Sequence, residues 1–166
     1  MLKNFTAELT PDLQRHPVMI MIKPYCQFKY NAAESGNFTV IAHRGASAYF
    51  PENTMVSFEG AIALGADMVE LDVQLTADGE VVVFHDERIS RCTNGRGSIA
   101  DYTLVELKKL DAGSWFDKKY AGARLPTLVE ALELCKDKIA VNVEIKTEAV
   151  TDTISNGIEE KCLRIV

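Results

Sequence analysis

Acidic and imidazole side chains accompany four short apolar segments of this chain, and together they could hold a cation and move protons. Glu70 and Asp72 stand two residues apart in a segment that alternates apolar and polar residues, and Glu144 stands in a similar segment further along. His43 and His85 each follow a run of apolar residues. Residues two apart on a β-strand share a face, so Glu70 and Asp72 should point the same way. Charged groups on otherwise apolar strands are costly unless they bind a cation or perform chemistry.

Four predicted strands would position these side chains. Apolar or alternating runs predict strands at residues 38–43, 68–75, 81–84 and 139–145. Predicted helices separate the first strand from the second and the third from the fourth. Strands separated by helices are typical of a parallel sheet covered on both faces. We therefore predict an α/β fold in which the four strands are parallel.

Three helices are predicted from the residues at which they begin. Asn53 is expected to cap the helix after the first strand, because Asn is a favoured N-cap residue. Thr103 and Thr127 are each followed by Glu three residues later, a pattern typical of a capping box, and they predict two further helices. Apolar spacing predicts that the helix after Thr127 buries Val129 and Leu132.

Composition excludes several classes of partner. With 166 residues and 47% hydrophobic content, the chain can form one domain with its own core. A net charge of −6 argues against nucleic acid and anionic membrane surfaces as partners. The four cysteines show no paired metal-binding spacing and are expected to be reduced thiols. Because the sequence shows neither a membrane-spanning stretch nor a secretion signal, we expect a cytoplasmic protein.

The chain divides into two parts of different character. Residues 1–37 match no assignable pattern and are interpreted as an N-terminal extension, an expression-related segment or a short capping strand. The recognisable order of strands and helices occupies residues 38–166. Within this second part, a long, loop-rich connection at about residues 87–126 follows the third strand and is interpreted as an insertion.

Several spaced motifs in the second part resemble those of the glycerophosphodiester phosphodiesterase family. In chain order they are His43-Arg44-Gly45, Pro51-Glu52-Asn53-Thr54, Glu70-x-Asp72-x-x-x-Thr76-x-Asp78-Gly79, His85-Asp86 and Asn142-x-Glu144-x-Lys146. The insertion also resembles that family's characteristic excursion. Because the motifs occur in the family's order over about residues 38–166, chance is a poor explanation for the resemblance.

The resemblance implies a fold, an activity and a set of residue roles. The fold would be a TIM barrel, present here as an incomplete barrel of about four strands with the family's insertion after the third; complete barrels have eight strands and roughly 250 residues. The activity would be metal-dependent hydrolysis of a small glycerophosphodiester to glycerol 3-phosphate and an alcohol, with Mg²⁺ or Ca²⁺ as the cofactor. The implied roles are metal ligation by Glu70, Asp72 and Glu144, acid/base catalysis by His43 and His85, phosphate binding by Arg44 and Lys146, and supporting positions near the metal for Glu52 and Asp86.

Elementary chemistry agrees with these roles. Carboxylates that share a pocket raise one another's pKa values unless a cation is present, and all-oxygen ligation suits Mg²⁺ or Ca²⁺. Arg44 can bind a phosphate through two parallel hydrogen bonds. Each proton transfer by His43 or His85 would contribute roughly 10²–10⁴-fold in rate. The attacking oxygen is either the glycerol 2-hydroxyl or water, and the sequence does not choose between them.

Other interpretations stay open at this point. Lys146 could only neutralise Glu144, and Glu52 could only favour the start of the first helix. Glu70 and Asp72 could form the solvated face of an antiparallel edge strand. For the chain as a whole, the rival functions are a lysophospholipase D of the same superfamily and a non-catalytic fragment that retains the metal-site motif.

Open sheet edges are a further expectation. Four parallel strands cannot close a ring, so the first and fourth strands should expose unpaired backbone groups, and such edges seek partners. We therefore expect self-association, low stability and weak activity for the 166-residue chain.

Overall fold

A mixed β-sheet with helices packed against it organises the described part of the chain. The computed structural model describes residues 5–9, 18–24, 39–146 and 157–166, the first two segments by their backbone alone. The strands are β1 (Phe5–Leu9), β2 (Val18–Pro24), β3 (Ile41–His43), β4 (Met68–Leu75), β5 (Val81–Val83) and β6 (Ala140–Ile145). The helices are α1 (Met55–Ala63), α2 (Leu104–Leu107), α3 (Leu128–Cys135) and α4 (Ile158–Ile165), with single 3₁₀ turns at Ile99–Asp101 and Lys118–Tyr120.

Three parallel strands form the centre of the sheet, and their register positions the charged residues. The strand order is β1-β2-β6-β4-β3, and β4 is parallel to both β3 and β6. Glu70 lies opposite His43 on one side and Asn142 on the other, and Asp72 lies opposite Glu144. β4 is buried along nearly its whole length, so its acidic pair does not lie on a solvated edge strand. The predicted α/β fold is confirmed as an incomplete barrel-like arrangement.

The third predicted strand runs in the opposite direction to the one expected. β5 pairs with β4 in antiparallel orientation, with Val83 opposite Val73, so the expectation of four parallel strands is wrong. Only residues 76–80 connect the two strands. A parallel connection needs a crossover of about a dozen residues or more, whereas a short turn can join only antiparallel neighbours. The turn is closed by the Thr76 N–H, which donates to the Glu80 carbonyl at 3.0 Å.

The outer edge of β6 is covered rather than open. β2, from the predicted N-terminal extension, pairs with β6 in antiparallel orientation, and Val18 lies opposite Ile145. β1 adds a further antiparallel strand to β2. The expected open edge at the fourth predicted strand is therefore wrong, because a segment with no recognisable motif supplies its partner. Within the described residues, β3 pairs only with β4, and self-association through that edge stays a prediction.

Two hydrophobic clusters stabilise the fold. The larger cluster lies between the sheet and the helices α1, α3 and α4, and its fully buried members include Phe58, Leu71, Leu132, Val143 and Ile158. The second cluster lies beneath the insertion and is formed by Val82, Phe84, Ile89, Cys92, Ile99, Leu107, Ala112 and Leu125. Residues from β5 and its end belong to this second cluster, so the insertion has a core of its own that is anchored to the sheet.

Helix caps explain where three of the helices begin. Thr103 and Thr127 form the predicted capping boxes of α2 and α3. The predicted cap of α1 is wrong, because Thr54 rather than Asn53 accepts the hydrogen bond from the Ser57 N–H. Asn53 instead has a left-handed backbone with φ 53°. Its side chain does not cap the helix and donates a hydrogen bond to Asp72.

The buried face of α3 differs from the prediction at one position. Leu132 is fully buried, as predicted, but Val129 is 44% exposed. The buried residues of α3 are Leu128, Ala131, Leu132 and Cys135. This i, i+3, i+4, i+7 pattern faces the sheet and leaves Val129 on the outer side of the helix.

The two α3 residues provide a test of this packing. We expect Leu132→Ala to lower the free energy of unfolding by about 2–5 kcal/mol, because it leaves a cavity in the larger cluster. Val129→Ala is the matched control and should change it by less than about 0.5 kcal/mol. Urea unfolding followed by circular dichroism measures both. Equal losses for the two variants would contradict the assigned helix face.

Candidate active site

Three carboxylates converge on the neighbouring parallel strands β4 and β6. One ligand atom each from Glu70, Asp72 and Glu144 lies within 4.8 Å of the others. The strand register causes this convergence, because the two β4 residues share a face and Asp72 lies opposite Glu144. Glu70 and Asp72 are buried, whereas Glu144 is partly exposed. The sequence spacing of the acidic residues thus produces a compact, half-enclosed anionic group.

The donor set fits a divalent cation. Among the described residues, the buried oxygens Oε1 of Glu70 and Oδ1 of Asn53 have no hydrogen-bond partner. A buried polar atom without a partner is costly, and a bound cation with oxygen ligands would satisfy a carboxylate oxygen in this position. Glu70, Asp72 and Glu144 are the residues that could hold the ion.

Electrostatics also indicate that the group is short of positive charge. Burial, followed by the charge of Asp72, raises the pKa of Glu70 to about 7, although a hydrogen bond from the Arg44 backbone N–H opposes the rise. A carboxyl group with this pKa is partly protonated near neutral pH. A divalent ion would favour its charged form and reverse the shift.

Arg44 and Asn53 reach the carboxylates from the loop between β3 and α1. Both residues have left-handed backbone conformations, with φ of 58° and 53°. The Arg44 N–H donates to Glu70 Oε2 at 2.9 Å, its Nη1 donates to Glu52 Oε1 at 3.0 Å, and its Nε lies 3.4 Å from Asp72 Oδ2. Asn53 Nδ2 donates to Asp72 Oδ2 at 2.8 Å. The loop therefore supplies donors to both β4 carboxylates.

Lys146 pairs with two carboxylates rather than with one. Its Nζ lies 2.7 Å from Asp72 Oδ1 and 2.5 Å from Glu144 Oε1. Burial alone would lower the pKa of Lys146, but hydrogen bonds and charge from Asp72 and Glu144 outweigh burial and raise it. The ammonium group therefore stays charged at the rim of the anionic group, where it could also meet a phosphate.

The two histidines border the carboxylates in different ways. His43 Nε2 lies 3.9 Å from Glu70 Oε2, and the His43 side chain is 66% exposed. His85 Nδ1 lies 2.6 Å from Asp86 Oδ1, and its side chain is 30% exposed. Because a carboxylate only accepts, the His85 proton is assigned to Nδ1, and Nε2 is the nitrogen that can exchange a proton with a ligand.

A chain of ion pairs joins the His85 side of the site to the Arg44 side. Arg91, from the insertion, donates from Nε to Asp86 Oδ2 at 2.5 Å and from Nη1 to Glu52 Oε2 at 2.9 Å. Hydrogen bonds from Arg91 lower the pKa of Asp86 to about 2 against the effect of burial. Burial would raise the pKa of Glu52, but hydrogen bonds and charge from Arg91 and Arg44 outweigh it and lower that pKa. Glu52 therefore pairs with two arginines and does not cap α1.

A buried amide holds the backbone at His85. Gln74 shares the β4 face with the two β4 carboxylates and is buried. Its Nε2 lies 3.1 Å from the Phe84 carbonyl, 3.0 Å from the His85 carbonyl and 2.7 Å from the Asp86 carbonyl. The turn that carries His85 and Asp86 is thus fixed to the same strand that carries the acidic pair.

Comparison with known proteins is decisive at this point. A family model described as the glycerophosphoryl diester phosphodiesterase family matches residues 43–166. The chain belongs to that family. Its matched region begins at His43 and includes every residue of the candidate site.

Individual family members show how far the match extends along each chain. It is 55% identical over 128 residues to a glycerophosphodiester phosphodiesterase from Caldanaerobacter subterraneus subsp. tengcongensis, a match that covers 76% of this chain and 51% of the relative. The solved glycerophosphodiester phosphodiesterase from Thermotoga maritima is 36% identical, with a TM-score of 0.60, and the match covers 77% of this chain and 49% of that one. A phosphodiesterase from Oleispira antarctica, solved in complex with the product sn-glycerol-3-phosphate, is 46% identical with a TM-score of 0.64 and coverages of 66% and 44%. The chain spans about half the length of the curated relatives it matches.

Three site residues of this family member escaped sequence reasoning. Gln74 had a readable signal, since it continues the two-residue spacing of the β4 carboxylates. Asn53 had a partial signal, because Asn tolerates left-handed backbone conformations. Arg91 had no such signal, because its partners Asp86 and Glu52 lie 5 and 39 positions away.

In the described part of the chain, no helix is both long and apolar enough to cross a membrane.

The raised pKa of Glu70 predicts a pH-dependent loss of stability in the metal-free protein. A carboxyl group whose pKa is raised from 4.5 to about 7 on folding stabilises the fold while it is protonated, and this contribution is lost as pH rises through about 7. With a chelator present, we expect the parent's free energy of unfolding to fall between about pH 5 and pH 8 by about 1–3 kcal/mol more than that of Glu70→Gln.

Urea unfolding of both proteins across this pH range measures the difference. Glu133→Gln is the matched control, because Glu133 is an exposed carboxylate of α3. The control should follow the parent at every pH. A Glu70→Gln profile parallel to that of the parent would contradict the raised pKa.

Proposed function

We propose that the protein to which this chain belongs hydrolyses glycerophosphodiesters to sn-glycerol 3-phosphate and an alcohol. The observation that carries the proposal is the convergence of the Glu70, Asp72 and Glu144 carboxylates in a chain of this family, with His43 beside Glu70 and His85 paired with Asp86 after β5. The Oleispira antarctica relative in complex with sn-glycerol-3-phosphate supports the product class. Because this chain spans about half the length of its relatives, the activity of the whole protein is itself part of the proposal.

We propose that the three carboxylates hold a magnesium or calcium ion. Their all-oxygen donor set and the unpartnered Glu70 Oε1 support this assignment. When bound, the ion would draw negative charge from a non-bridging phosphate oxygen and orient the diester. Asn53 and the Arg44 backbone N–H hold the acidic pair in place through hydrogen bonds to Asp72 and Glu70.

Arg44 and Lys146 are proposed to bind the phosphate group. Both cations lie at the anionic group, and their charge offsets part of that of the carboxylates. A phosphate that binds there brings further negative charge. These two cationic side chains can donate hydrogen bonds to its oxygens. The guanidinium group can make two parallel bonds to phosphate, whereas Lys146 acts as a compact point charge.

The histidines are proposed to move the protons of the reaction. One accepts a proton from the attacking oxygen and the other donates a proton to the leaving alkoxide. Asp86 supports this role for His85, because its bond to Nδ1 leaves Nε2 to exchange the proton. Detection of a cyclic glycerol phosphate by phosphorus NMR would identify the glycerol 2-hydroxyl as the attacking group, and its absence under rapid quenching would identify water.

The cysteines support the compartment proposed for this activity. Cys92, Cys135 and Cys162, the cysteines within the described residues, are free and buried. Free thiols are typical of a reducing environment, and we propose that the protein acts in the cytoplasm on a small soluble diester.

The two histidine substitutions provide the kinetic test. His43→Ala and His85→Ala should each lower kcat for glycerophosphocholine by roughly 10²–10⁴-fold while the affinity for the metal stays the same. The double variant should be barely slower than either single variant, because groups that act as a unit are not additive. A metal-titrated assay of released glycerol 3-phosphate, with calorimetry for metal affinity, measures both quantities.

Two outcomes would contradict this account. Fully multiplicative losses would mean that the histidines do not serve one proton-transfer pathway. Metal binding by the purified chain without turnover of any glycerophosphodiester would favour the non-catalytic, metal-binding alternative for this part of the protein.

A further inference from the structure

Arg91 links two carboxylates that belong to different loops of the site. Besides the two bonds already described, its Nη2 donates to Glu52 Oε1 at 2.8 Å and to Asp86 Oδ1 at 3.0 Å. Glu52 precedes α1, whereas Asp86 follows β5. No strand pairing joins β3 directly to β5. Arg91 therefore supplies a direct polar connection between the loop after β3 and the turn after β5.

The number of donors argues against phosphate binding by Arg91. A guanidinium group has five N–H donors in a fixed planar fork. Four bonds to Glu52 and Asp86 are formed from Nε, Nη1 and Nη2. Little donor capacity is left for a phosphate, although the side chain is 44% exposed. The fork instead makes two hydrogen bonds to each of the two carboxylates.

Each carboxylate held by Arg91 in turn orients another site residue. Asp86 Oδ1 accepts from both His85 Nδ1 and Arg91 Nη2, so the direction of this carboxylate sets the direction of the imidazole. Glu52 Oε1 accepts from both Arg44 Nη1 and Arg91 Nη2. A single side chain thus fixes the partner of the proposed acid/base group and the partner of the proposed phosphate ligand.

The core of the insertion holds the backbone on either side of Arg91. Ile89 and Cys92 are almost fully buried in the second cluster. The Ile89 N–H donates to the Gly97 carbonyl at 3.1 Å, and Thr93 Oγ1 donates to the Ile89 carbonyl at 2.7 Å. Because its neighbours are packed and hydrogen-bonded, Arg91 reaches the site from a rigid support.

We propose that Arg91 is a positioning residue that orients His85 through Asp86 and Arg44 through Glu52. The effect of Arg91 on the reaction rate rests on the proposed function, whereas its effect on the orientation of His85 does not. Because the Arg91 side chain is nearly half exposed, its ion pairs contribute little to folding stability. The main effect of its loss is on catalytic geometry, where small displacements are costly.

The first experiment compares steady-state kinetics of Arg91→Met, Arg91→Lys and the control Arg88→Met. Arg88 is an exposed arginine of the same insertion, so its substitution makes the same charge change away from Glu52 and Asp86. We expect Arg91→Met to lower kcat by about 10²-fold with little change in KM. Arg91→Lys keeps the charge but loses the fork, so it should recover only part of kcat. Arg88→Met should behave as the parent.

The second experiment is independent of activity. Nitrogen-15 labelling of the histidines reports the tautomer of His85, because the chain has only three histidines. We expect Nδ1-protonated neutral imidazole in the parent and in Arg88→Met, and a mixture of tautomers in Arg91→Met. Spectra are collected on proteins whose thermal unfolding shows that they are folded, and Arg91→Lys replaces Arg91→Met if the latter does not fold.

The outcomes separate the positioning role from its alternatives. A parental tautomer and parental kcat in the Arg91 variants would overturn the proposal. A raised KM with unchanged kcat would also overturn it and assign Arg91 to substrate binding. A changed tautomer in an enzyme that never turns over glycerophosphodiesters would uphold the positioning of His85 and contradict the proposed function alone.

Discussion

Mutual repulsion among three buried or half-buried carboxylates is the constraint on which the rest of this site depends. The parallel register of β4 and β6 brings Glu70, Asp72 and Glu144 together. Lys146 and the donors of the β3–α1 loop balance part of the negative charge. The balance is incomplete, because the pKa of Glu70 is raised to about 7 by burial and by Asp72. A divalent cation would supply the missing positive charge, and this is the reason for which we propose metal-assisted phosphodiester chemistry at the site.

Beyond the three carboxylates, acidic and basic side chains alternate in a series of ion pairs. Arg44 faces both the acidic pair and Glu52, Glu52 faces Arg91, and Arg91 faces Asp86, which in turn holds His85. Hydrogen bonds and charge from Arg91 lower the pKa values of both Glu52 and Asp86, so these two carboxylates stay charged. The insertion therefore contributes Arg91 to the site, and its own hydrophobic cluster gives that side chain a rigid support.

Sequence reasoning succeeded where one local pattern determines the structure, and it failed where distant partners compete. The two-residue spacing of Glu70 and Asp72 was sufficient to predict a shared face, and capping boxes located α2 and α3. Asn53 and Thr54 are adjacent and both favourable N-caps, so propensity could not decide which one turns towards Asp72. The ion pairs of Arg91 and the pairing of β2 with β6 join segments far apart in the chain, and no local pattern encodes them.

Calorimetric titration of the purified chain with magnesium and calcium tests the central claim most directly. The account predicts a single ion bound per chain, with an affinity that increases as pH rises through about 7, because Glu70 must lose its proton to bind the ion. Glu70→Gln should weaken binding by at least about tenfold and abolish the pH dependence, whereas the exposed control Glu133→Gln should bind as the parent does. Binding by Glu70→Gln that is as tight as that of the parent, or no binding of either ion by the parent, would contradict the account.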